Sequence, residues 1–141
     1  QKQVIDVEGP SGDVACLGLV YLDGVYYVTG RAVDTLHQIY LFDTDGTYLG
    51  AIDQPAATST SSWGFRDGAT DGYSLIFGYE DGILVIDTAG NEVNTIMAAN
   101  GPQSIVQPIV AAAGVTTHRA IAYNPRGNGG DGSIWRSSKA S

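Results

Sequence analysis

The chain has 141 residues, of which 43% are hydrophobic, so it is long and apolar enough to bury a core and is not a disordered tail. Fifteen acidic residues against seven basic ones give a formal net charge of −8, and such a surface repels phosphate backbones and anionic lipid, which argues against nucleic-acid partners. No uninterrupted apolar run approaches the ~20 residues of a bilayer-spanning helix, so membrane insertion is not expected.

Cys16 is the single cysteine, which leaves packing and backbone ladders to hold the fold and suits a small buried hydrophobe. The 19 glycines are roughly twice the ordinary share, and with eight tyrosines and many valines and isoleucines they point to short strands joined by tight turns. No basic, apolar leader opens the chain, so an export signal is expected to be absent or already removed.

In chain order, residues 4–7 run into Gly9-Pro10 and read as the last strand of a preceding unit, spanning 1–15. Residues 17–22 then form a strand, Asp23-Gly24 a hairpin turn that demands positive φ, and 25–29 the returning strand. A third strand at 38–42 turns through Asp43-Thr44-Asp45-Gly46 into a fourth at 47–52. The same grammar repeats. Strands are expected at 66–70, 74–77, 82–86 and 92–96, with turns at Asp71-Gly72 and Asp87-Thr88-Ala89-Gly90. A third copy begins at 119–123 and 133–135, separated by a glycine-rich stretch at 126–132.

Four landmarks give the period: Asp23 to Asp71 is 48 residues, Asp43 to Asp87 is 44, Pro10 to Pro55 is 45 and Pro55 to Pro102 is 47. A four-stranded unit recurring about every 46 residues is the pattern of a β-propeller blade. The fold expected is therefore an all-β propeller segment of eleven antiparallel strands, with blades at 16–55 and 63–102 and a half blade at 117–141. A β-sandwich is the main competitor. Since a closed ring needs at least about four blades, the remainder is expected from other copies or from a longer chain.

The strings Trp63-Gly64-Phe65-Arg66-Asp67-Gly68-Ala69-Thr70-Asp71-Gly72, Gly82-Ile83-Leu84-Val85-Ile86-Asp87 and Arg119-Ala120-Ile121-Ala122-Tyr123-Asn124-Pro125 with Gly127 to Trp135 resemble blades of secreted bacterial β-propeller proteins. Members of that family often carry a C-terminal cell-surface sorting domain. The resemblance implies an extracellular or bacterial cell-surface location, and it specifies no reaction.

Candidate chemistry is sparse. Asp43 and Asp45 before Gly46 resemble the opening of a calcium loop, since alternate carboxylates can wrap a hard cation. The equivalent turn at Asp87 has lost the second carboxylate, and ordinary turn chemistry explains both; no cofactor is expected, with calcium as the weak alternative. His37 and His118 are the only histidines, in non-equivalent places, and a catalytic role for His37 would need Asp34 and Glu80 beside it. No Gly-x-Ser-x-Gly elbow stands in the serine-rich stretch at 58–62. The glycines at 127–132 lack the helix and Lys-Ser/Thr of a phosphate loop.

Arg66 and Arg119 occupy the same place in two copies, before the innermost strand, where Leu17 or Gly18 stands in the first. There a guanidinium can grip a carboxylate, on a ligand or on a neighbouring blade. Trp63 offers a ring face to a sugar, whereas Trp135 aligns with core positions. The candidate ligand-binding residues are thus Arg66, Arg119, Trp63 and His37, on or beside loops 31–37, 56–63, 79–81 and 98–118. The expected function is a secreted or surface-associated, non-catalytic binding and scaffold module for protein or glycan. Exposed strand edges would make it assemble as a homo-oligomer or fibre, or join a longer chain. The alternative is a propeller-type lyase or hydrolase with its site at the central channel.

Overall fold

The computed structural model describes residues 4–31, 37–59, 63–79, 82–97, 115–124, 126 and 133–140, with the side chains of 96–97, 115–122 and 133–140 outside that description. The first sheet comprises β1 (Gly18–Leu22), β2 (Val25–Gly30), β3 (Gln38–Asp43) and β4 (Tyr48–Asp53). The second comprises β5 (Asp67–Thr70), β6 (Leu75–Gly78), β7 (Gly82–Ile86) and β8 (Glu92–Met97), and β9 (Val115–Asn124) pairs with β10 (Ser133–Ala140). Every pairing is antiparallel, and in each four-stranded sheet the strands lie in chain order. Each sheet is open, with two edges.

Turn chemistry produces these meanders. Asp23 and Gly24 both have positive φ, 49° and 84°, as a two-residue turn between twisted strands requires. Asp43 Oδ1 accepts the backbone N–H of Asp45 at 2.9 Å and of Thr47 at 2.7 Å. Asp87 Oδ1 does the same for Ala89 and Asn91, each at 2.9 Å, so the two turns are structural copies despite losing a carboxylate between them. The β5–β6 connection departs from the expected two-residue turn. Its last strand pair is Thr70 with Leu75, and Asp71 Oδ1 instead gathers the N–H groups of Tyr73 and Ser74 at 2.8 and 2.7 Å.

Alternation along the strands gives each four-stranded sheet two apolar faces. One face of the first sheet, with Val20, Leu22, Tyr27 and Ile39, packs onto Phe65, Leu75, Phe77, Leu84 and Ile86 of the second. The Phe65 and Phe77 rings stack at 4.7 Å and 17°. The opposite face of the second sheet, with Ile76, Ile83 and Val85, receives Tyr123 from β9. β1 lies against β5 and β5 against β9, so the three sheets stack in sequence order with their first strands in line.

Residues 4–7 form no strand. Instead α1 (Glu8–Ser11) follows them directly, so ten strands are described where eleven were expected. Pro10 has no N–H to give to a ladder but loses nothing in the first turn of a helix, where that N–H has no acceptor. Asp6 Oδ1 accepts the Gly9 N–H at 3.0 Å, and Gly12, at φ 71°, closes the turn by donating to the Glu8 carbonyl at 2.8 Å. Ile5 and Val7 then lie on the outer face of the first sheet with Val28, Tyr40 and Phe42.

Candidate functional site

The C-terminal ends of β2 and β4 and the start of β3 lie at one end of the first sheet, because antiparallel pairing sets Gly30 against Gln38 and Gln38 against Asp53. Gln54, the residue after β4, is buried there. Its Nε2 donates to the carbonyls of Gln38 at 3.0 Å and Gly30 at 3.3 Å. Its Oε1 accepts the Phe65 N–H at 2.8 Å, and its own N–H donates to the His37 carbonyl at 2.8 Å. One side chain thus ties β2, β3 and the entry to β5 together.

Gly64 makes this junction possible. It sits at φ 60°, a left-handed conformation that costs any L-residue with a Cβ about 1–2 kcal/mol. A Cβ there would also meet Gln54 Oε1 and stand 2.7 Å from His37 Cδ2. The His37 ring therefore lies directly against the backbone that carries Trp63. Trp63 is 37% exposed, and the Arg31 guanidinium carbon lies 5.1 Å from its ring centroid, a cation–π distance. Two of the sequence candidates, His37 and Trp63, are brought to one place.

Arg31 and Gln54 were missed as site residues. A single arginine closing a strand and a glutamine before a proline carry no motif, and only the stacking and the hydrogen bonds reveal them. Arg66 stands at the entry to β5, with its N–H donated to Gly78 at 2.9 Å, the same bond that Leu17 makes to Thr29. This shared ladder position makes Leu17 its counterpart in the first sheet. Arg66 Nε is buried and has no hydrogen-bond partner among the described residues. Arg119 and His118 lie on β9, and Trp135 on β10, with their side chains outside the description, and Asp34 and Glu80 lie outside the described residues altogether.

Asp43 is half-buried, and the N–H groups of its own turn hold its carboxyl below the usual range, led by the bond from Thr47. Asp87 is lowered in the same way, chiefly by Asn91. Among the described residues no three His, Cys, Asp or Glu side chains gather to hold a metal ion, and Asp43 Oδ1 is taken up by the N–H groups of its own turn. Cys16 is half-buried, its thiol raised by burial and then by Asp13, and it donates to the Asp13 carbonyl at 3.6 Å.

No protein-family model, curated protein or solved structure matches this chain.

Proposed function

We propose that this chain is a segment of a β-propeller that acts as a non-catalytic binding and scaffold module, secreted or at a cell surface, contacting protein or glycan. Support for the blade reading comes from four-stranded antiparallel meanders recurring along the chain and stacked face to face with their first strands in line. On that reading the loop after β2 and the connection from β4 to β5 emerge at the same end of adjacent blades, and their side chains share one ligand surface.

The observation that carries the binding role is the Arg31 guanidinium over the Trp63 ring at 5.1 Å. It covers one face of a partly exposed indole and sets a fork of N–H donors beside it. That pairing suits a ligand with an apolar face next to a carboxylate, the chemistry of an acidic sugar unit. The local positive charge stands out from a chain of net charge −8 and would draw an anionic group to this end.

A glycan array that includes acidic sugars, probed with wild type, Trp63→Ala and Arg31→Ala, tests the reading. Binding lost in both variants supports it. Binding that survives both moves the contact elsewhere, and cleavage of an arrayed glycan would turn the reading toward the lyase or hydrolase alternative.

A further inference from the structure

Six Asp-Gly pairs stand in the sequence. In this dipeptide a backbone amide nitrogen can attack the preceding side-chain carboxyl, because glycine has no Cβ to obstruct the approach. Four of the pairs lie among the described residues, beginning at Asp23, Asp45, Asp67 and Asp71. The attack is intramolecular, so geometry decides which pair reacts. It needs a carboxyl and an N–H that are not held elsewhere.

Three of the four are tied. The Gly46 N–H donates to the Asp43 carbonyl at 3.1 Å. The Gly72 N–H donates to Thr70 Oγ1 at 3.0 Å, while Asp71 Oδ1 accepts the N–H groups of Tyr73 and Ser74. Asp67 and Gly68 lie inside β5, paired with Gly78 and Phe77, where a Cβ on Gly68 would already meet Val20 and Phe77. Asp23 and Gly24 differ. Their turn is closed by the Leu22–Val25 pair on either side, Asp23 is exposed, and among the described residues neither its carboxylate nor the Gly24 N–H makes a hydrogen bond.

The backbone of this turn also suits the cyclic product. Closing a five-membered ring eclipses the Asp23 Cβ with the Gly24 nitrogen about the Cα–C bond. For an L-residue that sets ψ near −120°, the value at the first central position of a type II′ turn, where φ is about +60°. Among the described non-glycine residues only Asp23 has a positive φ, 49°. Type II′ is the other common two-residue hairpin turn, so rotating one peptide unit accommodates the ring and leaves the β1–β2 ladder in place. Gly24 accepts either sign of φ, and nothing stands within 4 Å of a Cβ built on it.

We propose that Asp23 is a site of spontaneous backbone modification, closing with Gly24 to an aspartyl succinimide that opens to isoaspartate. The Gly24 nitrogen bonds to Asp23 Cγ, the Cγ–OH bond of the carboxylic acid breaks, and the amide proton leaves with that hydroxyl as water. Water then adds back at either ring carbonyl. Opening at Cγ restores aspartate, whereas opening at the main-chain carbonyl routes the chain through Cβ and Cγ, adding one backbone carbon with no change of mass. Turn length fixes hairpin register, so the added carbon loosens β1 from β2. The turn lies at the end of the first sheet opposite Gly30, and the proposal is independent of the ligand surface there.

The test is incubation of the native chain in mildly acidic buffer, which raises the carboxylic acid fraction, beside the same chain unfolded in guanidinium. Electron-transfer fragmentation distinguishes isoaspartate from aspartate at each position, and hydroxylamine cuts the chain at the imide. Asp23 should react in the folded chain at least as fast as in the unfolded one, while folding slows Asp45, Asp67 and Asp71 by roughly tenfold or more. Asp23→Glu, which cannot close the five-membered ring, should abolish cleavage at this point with circular dichroism unchanged. Asp23→Asn should release ammonia faster than Asp45→Asn. Isoaspartate spread evenly over the four pairs of the folded chain overturns the proposal, as does protection of Asp23 by folding to the degree seen at Asp71.

Discussion

The Tyr40 hydroxyl donates a hydrogen bond to Asp13 Oδ2 at 2.9 Å, joining residues 27 positions apart. Both side chains are buried. Asp13 Oδ1 also accepts the Ala15 N–H at 2.7 Å, and Gly30 leaves the space, since a Cβ there would meet both the carboxylate and the Tyr40 ring. This bond fastens the segment after α1 to the centre of the first sheet.

Tyr40→Phe should therefore destabilise the chain by about 1–3 kcal/mol, because it leaves a buried carboxylate oxygen without its donor. Urea denaturation at neutral pH measures the difference. Burial first, and then the Asp13 carboxylate, raise the Tyr40 hydroxyl well above its ordinary value of 10.0. The folded state thus holds the phenol proton more tightly than the unfolded chain. This contribution is complete below about pH 10 and is lost as pH rises above it, so wild type should lose stability on alkaline titration more steeply than Tyr40→Phe.

Gln54→Ala removes the side chain that bonds Gly30, Gln38 and Phe65. Three backbone groups lose a partner at a buried junction, and a loss of about 3 kcal/mol is expected. Hydrogen exchange should quicken most at the Phe65 amide. Unchanged exchange there would show that the junction is held by other contacts.

Gly68→Ala places a methyl 2.5 Å from both Val20 Cγ2 and Phe77 Cε1. The sheets must move apart or side chains must leave their rotamers, at a cost of about 1–3 kcal/mol. Pairing it with Val20→Ala, which removes the opposing methyls, should cost less than the two single changes added together. Strict additivity in the melting of the double mutant would show that the two sites do not meet.

The depressed Asp43 and Asp87 carboxyls favour the folded state above the unfolded value near 3.8 and lose that effect as pH falls through their lower folded values. An acid titration followed by tryptophan fluorescence should show wild type losing stability below about pH 4. Asp43→Asn and Asp87→Asn should flatten that part of the profile.

Local chemistry was legible wherever one short stretch decides the structure. Asp23-Gly24, the Asp43–Gly46 turn and the Asp87–Gly90 turn each contain their own donors and acceptors, so the hairpins and most strands lie within a residue or so of expectation. Residues 4–7 were misread because an alternating apolar string is only half of a strand; without a ladder partner, Asp6 and Pro10 favoured the helical turn. At the candidate site His37 and Trp63 were identifiable as residue types. Arg31 and Gln54 were not, because their roles are contacts with groups distant in the chain.

Composition and turn residues by themselves determined an all-β chain of short antiparallel hairpins recurring every 46 residues or so. Tertiary structure alone decided which face of each sheet meets the next, that Leu17 rather than Gly18 is the counterpart of Arg66, and that Leu19 and Tyr21 stand open. The reason is physical: turns are closed by hydrogen bonds between neighbours, whereas the stacking of two apolar faces is non-directional and is settled only by whether side chains such as Val20 and Gly68 fit together.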